Sequence, residues 1–179
     1  ELMLSAIPNS ITILRLLLSV PIGISVYNGS NFLALSLFIL AGLSDWVDGM
    51  LARRYGWTSE FGKFADPLAD KFLILTTLLA LAFSSKLPIW LVSIMLGRDG
   101  IIVIGVLLYF SLFQNYNLLP NRWGKHYTGW TIALFIIILI RGLTERIPLI
   151  LEQIALVGTL AFLIVSLIFY LRSPGKEIF

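Results

Sequence analysis

The chain has 179 residues, 58% of them hydrophobic and 13% charged, with no cysteine, one histidine and a formal net charge of +3. A mean hydropathy of +0.92 and a charged share about half that of an average soluble domain indicate an integral membrane protein rather than a large soluble core. The missing cysteine excludes disulfides and thiolate metal sites, and the scattered charge, without a basic run, excludes nucleic acid as an expected partner.

A membrane span needs about 20 apolar residues, and about six stretches qualify. The first covers residues 10–27, with Pro21 expected to kink it. The second covers 32–53 and the third 64–84. The fourth covers 88–113, the fifth 127–140 and the sixth 148–171. Turn chemistry separates them: Asn28, Gly29, Ser30 and Asn31, then Ser84, Ser85 and Lys86, then residues 115–124. No internal repeat interrupts the series. The expected fold is an all-α integral membrane bundle of about six transmembrane helices, forming one domain over residues 1–179. The first residues lack a basic stretch followed by a short apolar run and a cleavage site, so no cleavable signal is expected.

Loop charge sets orientation. Arg53, Arg54 and Lys63 lie between the second and third spans, Arg122 and Lys125 between the fourth and fifth, and Arg172 and Lys176 in the tail. The opposite side carries Lys86, Arg141 and Arg146. Both termini are therefore expected in the cytoplasm. Trp57, Trp90 and Trp123 fall near span ends, as interfacial anchors do.

The second and third spans hold four carboxylates, Asp45, Asp48, Asp66 and Asp70. Ionisable groups inside a membrane are expensive and persist mainly for function. Asp45 and Asp48 are three residues apart, Asp66 and Asp70 four, so each pair shares a helical face. Gly49 and Ala52 lie on the first face and permit close approach to the backbone. Two carboxylates ~5 Å apart repel by roughly 3 kcal/mol at an effective dielectric of ~20. Four together must hold protons or cations. An all-carboxylate set suits hard divalent ions such as Mg²⁺ or Mn²⁺, and a pair of such ions is a recurrent clamp for phosphoryl chemistry. The competing readings are an ion-pair cluster neutralised by Arg53, Lys63 and Lys71, and a cation transporter.

The pattern Asp45-x2-Asp48-Gly49-x2-Ala52-Arg53-x8-Gly62-x3-Asp66-x3-Asp70 resembles the signature of the CDP-alcohol phosphotransferase family at all eight fixed positions. The six-span layout resembles the family as well. Pro8, Asn9, Thr12 and Arg15 resemble the start of the first span in the phosphatidylglycerophosphate synthase branch. The run from Asp66 through Pro67 to Lys71 is similar to that branch and to the related cardiolipin synthases.

This resemblance implies transfer of a phosphatidyl group from CDP-diacylglycerol to an alcohol, with release of CMP. It implies two divalent ions on Asp45, Asp48, Asp66 and Asp70, with Asp70 also the general base. It implies a CDP pocket from Asp48, Gly49, Ala52, Arg53, Gly62 and Asp66. A homodimer in a bacterial inner membrane or its organellar equivalent, with the site facing the cytoplasm, also follows from it.

Acceptor choice rests on residues outside the signature. Arg98 precedes Asp99 inside the fourth apolar stretch, and Lys125 opens the fifth. Arg98 is either a structural partner of Asp99 or, with Lys125, a ligand for the phosphate of an anionic acceptor. The synthase branch has a similar Arg and Lys arrangement that receives glycerol 3-phosphate. That branch carries Arg-Glu where this chain has Arg98-Asp99, which looks more like cardiolipin synthases using phosphatidylglycerol. An inositol phosphate is a third acceptor. Arg15, with Asn9 and Thr12, either helps bind phosphate or packs the first helix. His126 reads as an interfacial loop residue, and Glu145 with Arg146 as a solvated pair.

Overall fold

The structure is a computed structural model. It describes residues 6–55, 60–112, 122–144 and 146–172, with the side chains of all of these except 6–11, 45–46, 48–49, 51–55, 60–67, 106–112 and 172. Six helices run through the described residues: α1 (Ala6–Tyr27), α2 (Asn31–Tyr55), α3 (Glu60–Phe83), α4 (Ile89–Leu112), α5 (Arg122–Arg141) and α6 (Leu149–Arg172). No strand occurs among the described residues. Each helix overlaps one expected apolar stretch. The largest differences are at the starts of α1, α3 and α5, where polar turns extend the helix beyond the apolar run. Hydropathy marks the part that avoids water, whereas backbone hydrogen bonding continues through Arg122, Lys125 and His126. His126 is thus helical, not a loop residue.

The chain divides into two compact units. The first comprises α1, α2, α3 and residues 139–144; the second comprises α4, most of α5 and α6.

In the first unit α1 packs against both α3 and α2. The buried face of α1 is Thr12, Arg15, Ser19, Ile22 and Val26, a helical spacing of three to four. The opposite face exposes Ile13, Leu17, Val20 and Ile24. Gly23 allows the close approach of α3: a Cβ there would lie 2.7 Å from Thr76 Cγ2. The second unit repeats this inversion, burying Arg98, Thr131, Thr159 and Ser166 while Ile101, Ile104, Val157 and Ile164 face outward. Apolar side chains outward, with polar ones held inside among an apolar core, is a distribution favoured when the surrounding medium is hydrocarbon. Several hydroxyls donate to a carbonyl one turn back, as Thr77 does to Leu73, Thr131 to Tyr127 and Thr159 to Ala155, so their burial leaves no donor unused.

Among the described residues, two helices meet both length and apolarity for a membrane crossing, α5 and residues 149–171 of α6. The aspartates of α2 and α3 interrupt those helices' apolar runs.

Two helices of the first unit end alike. After α1, Ser30 N–H donates to Ser25 O at 2.9 Å and Gly29 N–H to Val26 O at 3.2 Å. After α3, Lys86 N–H donates to Leu81 O at 2.9 Å and Ser85 N–H to Ala82 O at 3.0 Å. Both are Schellman caps, which require a left-handed residue after the helix. Gly29 takes φ +74° without strain, whereas Ser85 takes φ 58° with a side chain. Asn31 then joins three connections at one end of this unit. Its amide donates to Gly142 O at 2.9 Å, and its Oδ1 accepts from Lys86 Nζ at 2.5 Å. Partial burial pushes the Lys86 ammonium below its ordinary value. A Cβ on Gly142 would overlap the Asn31 amide, so a larger residue there would displace this contact.

Candidate active site

The signature occupies the C-terminal half of α2 and the N-terminal half of α3. Asp45, Asp48, Gly49, Ala52 and Arg53 are helical residues of α2, and Gly62, Asp66 and Asp70 of α3. Helical backbone at these positions keeps each aspartate pair on one face. The side chains of the first seven lie outside those described. The donor set is all carboxylate oxygen, which fits a hard divalent ion. No group of three metal-ligating side chains occurs among the described residues.

Asp70 is the signature residue whose surroundings are visible. Its Oδ1 accepts a hydrogen bond from Arg15 Nη1 at 2.7 Å, across 55 residues of sequence. The Arg15 side chain is 1% exposed and the Asp70 side chain 47% exposed. Arg15, expected as a possible acceptor ligand, is therefore found on the candidate base. Neighbouring Ala69 and Leu73 are buried against the bundle, so α3 turns one edge to the core and brings Asp70 to the boundary. Thr12, read beside Arg15, is buried on the same α1 face. Lys71 is exposed.

A second charged cluster sits in the other unit. Arg98 on α4 is 9% exposed. Its Nη1 donates to Asp99 Oδ1 at 2.6 Å and its Nη2 to Ser166 Oγ on α6, also at 2.6 Å. The guanidinium lies 4.5 Å from the ring centroid of Tyr127 on α5, a cation–π contact. Its Nε is buried without a hydrogen-bond partner among the described residues. Gly124 lies beside it: a Cβ there would sit in ordinary contact, 3.6 Å from Nη2. Three helices thus converge on one buried cation.

Lys125 is exposed. With His126, Gly129, Trp130 and Ala133 it lines a shallow groove of about 310 Å³. His126 lies 5.4 Å from Phe162 and 6.2 Å from Trp123 between ring centroids. Trp130 stacks on Phe162 at 6.3 Å, and a Cβ on Gly158 would overlap its ring. Trp123 also packs on Phe162 and Phe169. Trp123, expected as an interfacial anchor, thus has a packing role at the start of α5.

Sequence reasoning missed Ser166 and Tyr127 as partners of Arg98. A serine isolated in the apolar run of α6 was the available signal for the first. Nothing local marked Tyr127, because its role depends on which helix face meets α4.

These features define a helical protein with an apolar outer surface and buried charge-paired sites, of the kind a membrane enzyme needs. Comparison with known proteins narrows the class. A family model described as CDP-alcohol phosphatidyltransferase matches residues 5–165. The chain belongs to the CDP-alcohol phosphatidyltransferase family, a family of membrane enzymes. It is 41% identical over 110 residues to a probable cardiolipin synthase (CMP-forming) of Drosophila melanogaster, covering 59% of this chain and 34% of that protein. It is 34% identical over 122 residues to a probable phosphatidylglycerophosphate synthase of Mycobacterium tuberculosis, covering 65% of this chain and 56% of the relative. A CDP-diacylglycerol--glycerol-3-phosphate 3-phosphatidyltransferase of Aquifex aeolicus aligns at 29% identity over 97% of this chain and 98% of its own length. The matched stretches thus span only a third to just over half of the first two relatives.

Proposed function

We propose that this protein transfers the phosphatidyl group of CDP-diacylglycerol to glycerol 3-phosphate, releasing CMP and forming phosphatidylglycerol phosphate for phospholipid synthesis. The observation that carries the reading is the eight-position pattern from Asp45 to Asp70, set on two helices of a chain that matches the family over 5–165. Glycerol 3-phosphate is favoured by the named Aquifex and Mycobacterium relatives.

Asp45, Asp48, Asp66 and Asp70 would hold two Mg²⁺ or Mn²⁺ ions, whose charge counters that of the diphosphate. Gly49, Ala52 and Gly62 let the cytidine diphosphate lie against backbone, and Arg53 donates to a phosphate oxygen. Asp70 takes the proton from the acceptor hydroxyl as that oxygen bonds to the lipid-side phosphorus and the bond to CMP breaks. Arg98 and Lys125 bind the acceptor's phosphate. All six helices cross the membrane in this reading, with the signature ends and both termini in the cytoplasm. The lipid tails stay in hydrocarbon while the headgroup reacts at the interface. The chain acts as a homodimer.

Cardiolipin synthesis, with phosphatidylglycerol as acceptor, is a second reading favoured by Arg98-Asp99 and the Drosophila match. Both acceptors bring a phosphate, so the basic residues serve either. The test gives purified protein CDP-diacylglycerol, Mg²⁺ or Mn²⁺ and a panel of acceptors, then identifies the lipid product by mass. Phosphatidylglycerol phosphate is the expected product, and its loss on chelation with recovery on adding metal is expected too. Product from an inositol phosphate alone would sink both readings, and metal flux without CMP release would point to transport.

A further inference from the structure

The structure assigns Arg15 a role that neither its sequence nor its family membership states. We propose that Arg15 is a positioning residue for Asp70, fixing the carboxylate in the orientation from which it meets the acceptor hydroxyl. The inference rests on the reading of Asp70 as the base.

The pair is asymmetric. Arg15 is 1% exposed and Asp70 is 47% exposed. Burying a guanidinium is costly unless it is paired and hydrogen-bonded. An apolar pair of similar volume would join α1 to α3 at least as well, because desolvation offsets most of the Coulomb gain of a buried ion pair. A contact needed only for packing therefore has no call for this arginine, and a half-exposed carboxylate has no need of a buried partner unless its direction matters.

The geometry supports direction. Arg15 emerges from a buried α1 face that includes Thr12, Ser19 and Ile22. On the same face the Ser19 hydroxyl donates back to Leu16 O at 2.6 Å. Close α1–α3 packing at Gly23 and Thr76, about two turns further along α1, sets the distance between the helices. The planar guanidinium donates along fixed directions, and its Nη1 meets Oδ1 of Asp70 at 2.7 Å. A base held this way needs no reorientation when substrate arrives. A displacement of about 1 Å in such a group can cost roughly 100-fold in rate.

The test compares wild type, Arg15→Ala and Arg15→Lys in detergent or nanodiscs, reading kcat, both KM values and the thermal midpoint. Arg15→Ala should lower kcat by about 100-fold while donor and acceptor KM each move less than about threefold. Arg15→Lys keeps a charged donor and should return kcat to within about tenfold of wild type. If Arg15→Ala does not purify as a folded species, Arg15→Gln takes its place with the same expected loss. A kcat within about threefold of wild type would overturn the proposal. So would an acceptor KM raised more than about tenfold at unchanged kcat, which would make Arg15 a phosphate ligand. Equal inactivity of the Ala and Lys variants, with equally lowered midpoints, would make the pair purely structural. Wild type that releases no CMP with any acceptor would sink the transferase reading and this role together, whereas active wild type with unaffected variants would sink this role alone.

Discussion

Asp70 and Arg98 are each held by a neighbour of opposite charge, and in both pairs the cation is the buried partner: 1% against 47% exposed for Arg15 and Asp70, 9% against 37% for Arg98 and Asp99. In each pair a buried cation anchors a partly exposed carboxylate. Replacing Asp70 by Asn keeps shape but removes the proton acceptor, and should cut CMP release by about 10²–10⁴-fold. Near-normal turnover in Asp70→Asn would rule out the base role. Arg98→Ala should raise the acceptor KM at least about tenfold with donor KM little changed; an acceptor KM that stays put would make Arg98 a structural partner of Asp99, Ser166 and Tyr127. Aspartate spacing and the charged residues inside apolar stretches were legible along the chain. The Arg15–Asp70 pair was not, because its members lie 55 residues apart and neither spacing nor hydropathy says which helix faces meet.

At the scale of elements, apolar length located the six helices, and turn residues located the breaks after α1 and α3; of the expected turn at 115–124, residues 115–121 lie outside those described and 122–124 are helical. The helix ends were less legible, since polar first turns such as Arg122 to His126 are held by backbone hydrogen bonds that hydropathy does not register. The two Schellman caps sharpen this. Gly29 advertises its cap, while Ser85 occupies the same left-handed position with a residue that gives no such signal. Ser85→Gly should therefore relieve strain and raise stability by up to about 1 kcal/mol, seen as a higher thermal midpoint of the purified protein. A lowered midpoint would mean that the serine side chain contributes more than its backbone geometry costs.

For the whole molecule, sidedness can be read with single cysteines, because these 179 residues include none. Ser85 lies next to Lys86, which meets Asn31, and Asn31 meets Gly142 just beyond the C-terminal end of α5. By loop charge, Lys125 belongs to the side proposed as cytoplasmic and Lys86 to the opposite one. An impermeant thiol reagent added outside intact cells should label Ser85→Cys and spare Lys125→Cys until the membrane is opened. Labelling of both from one side would overturn the proposed orientation.

The sequence alone determined the helical class, the approximate helices, the family and the residues of the signature, because periodicity, apolar length and fixed spacing are local properties. Tertiary structure decided which partners those residues meet. Packing of α1 on α3 brought Arg15 to Asp70, and convergence of α4, α5 and α6 surrounded Arg98 with Asp99, Ser166 and Tyr127. Such contacts depend on how helices rotate about their axes, which is settled by the collective burial of whole faces and not by any one stretch of chain.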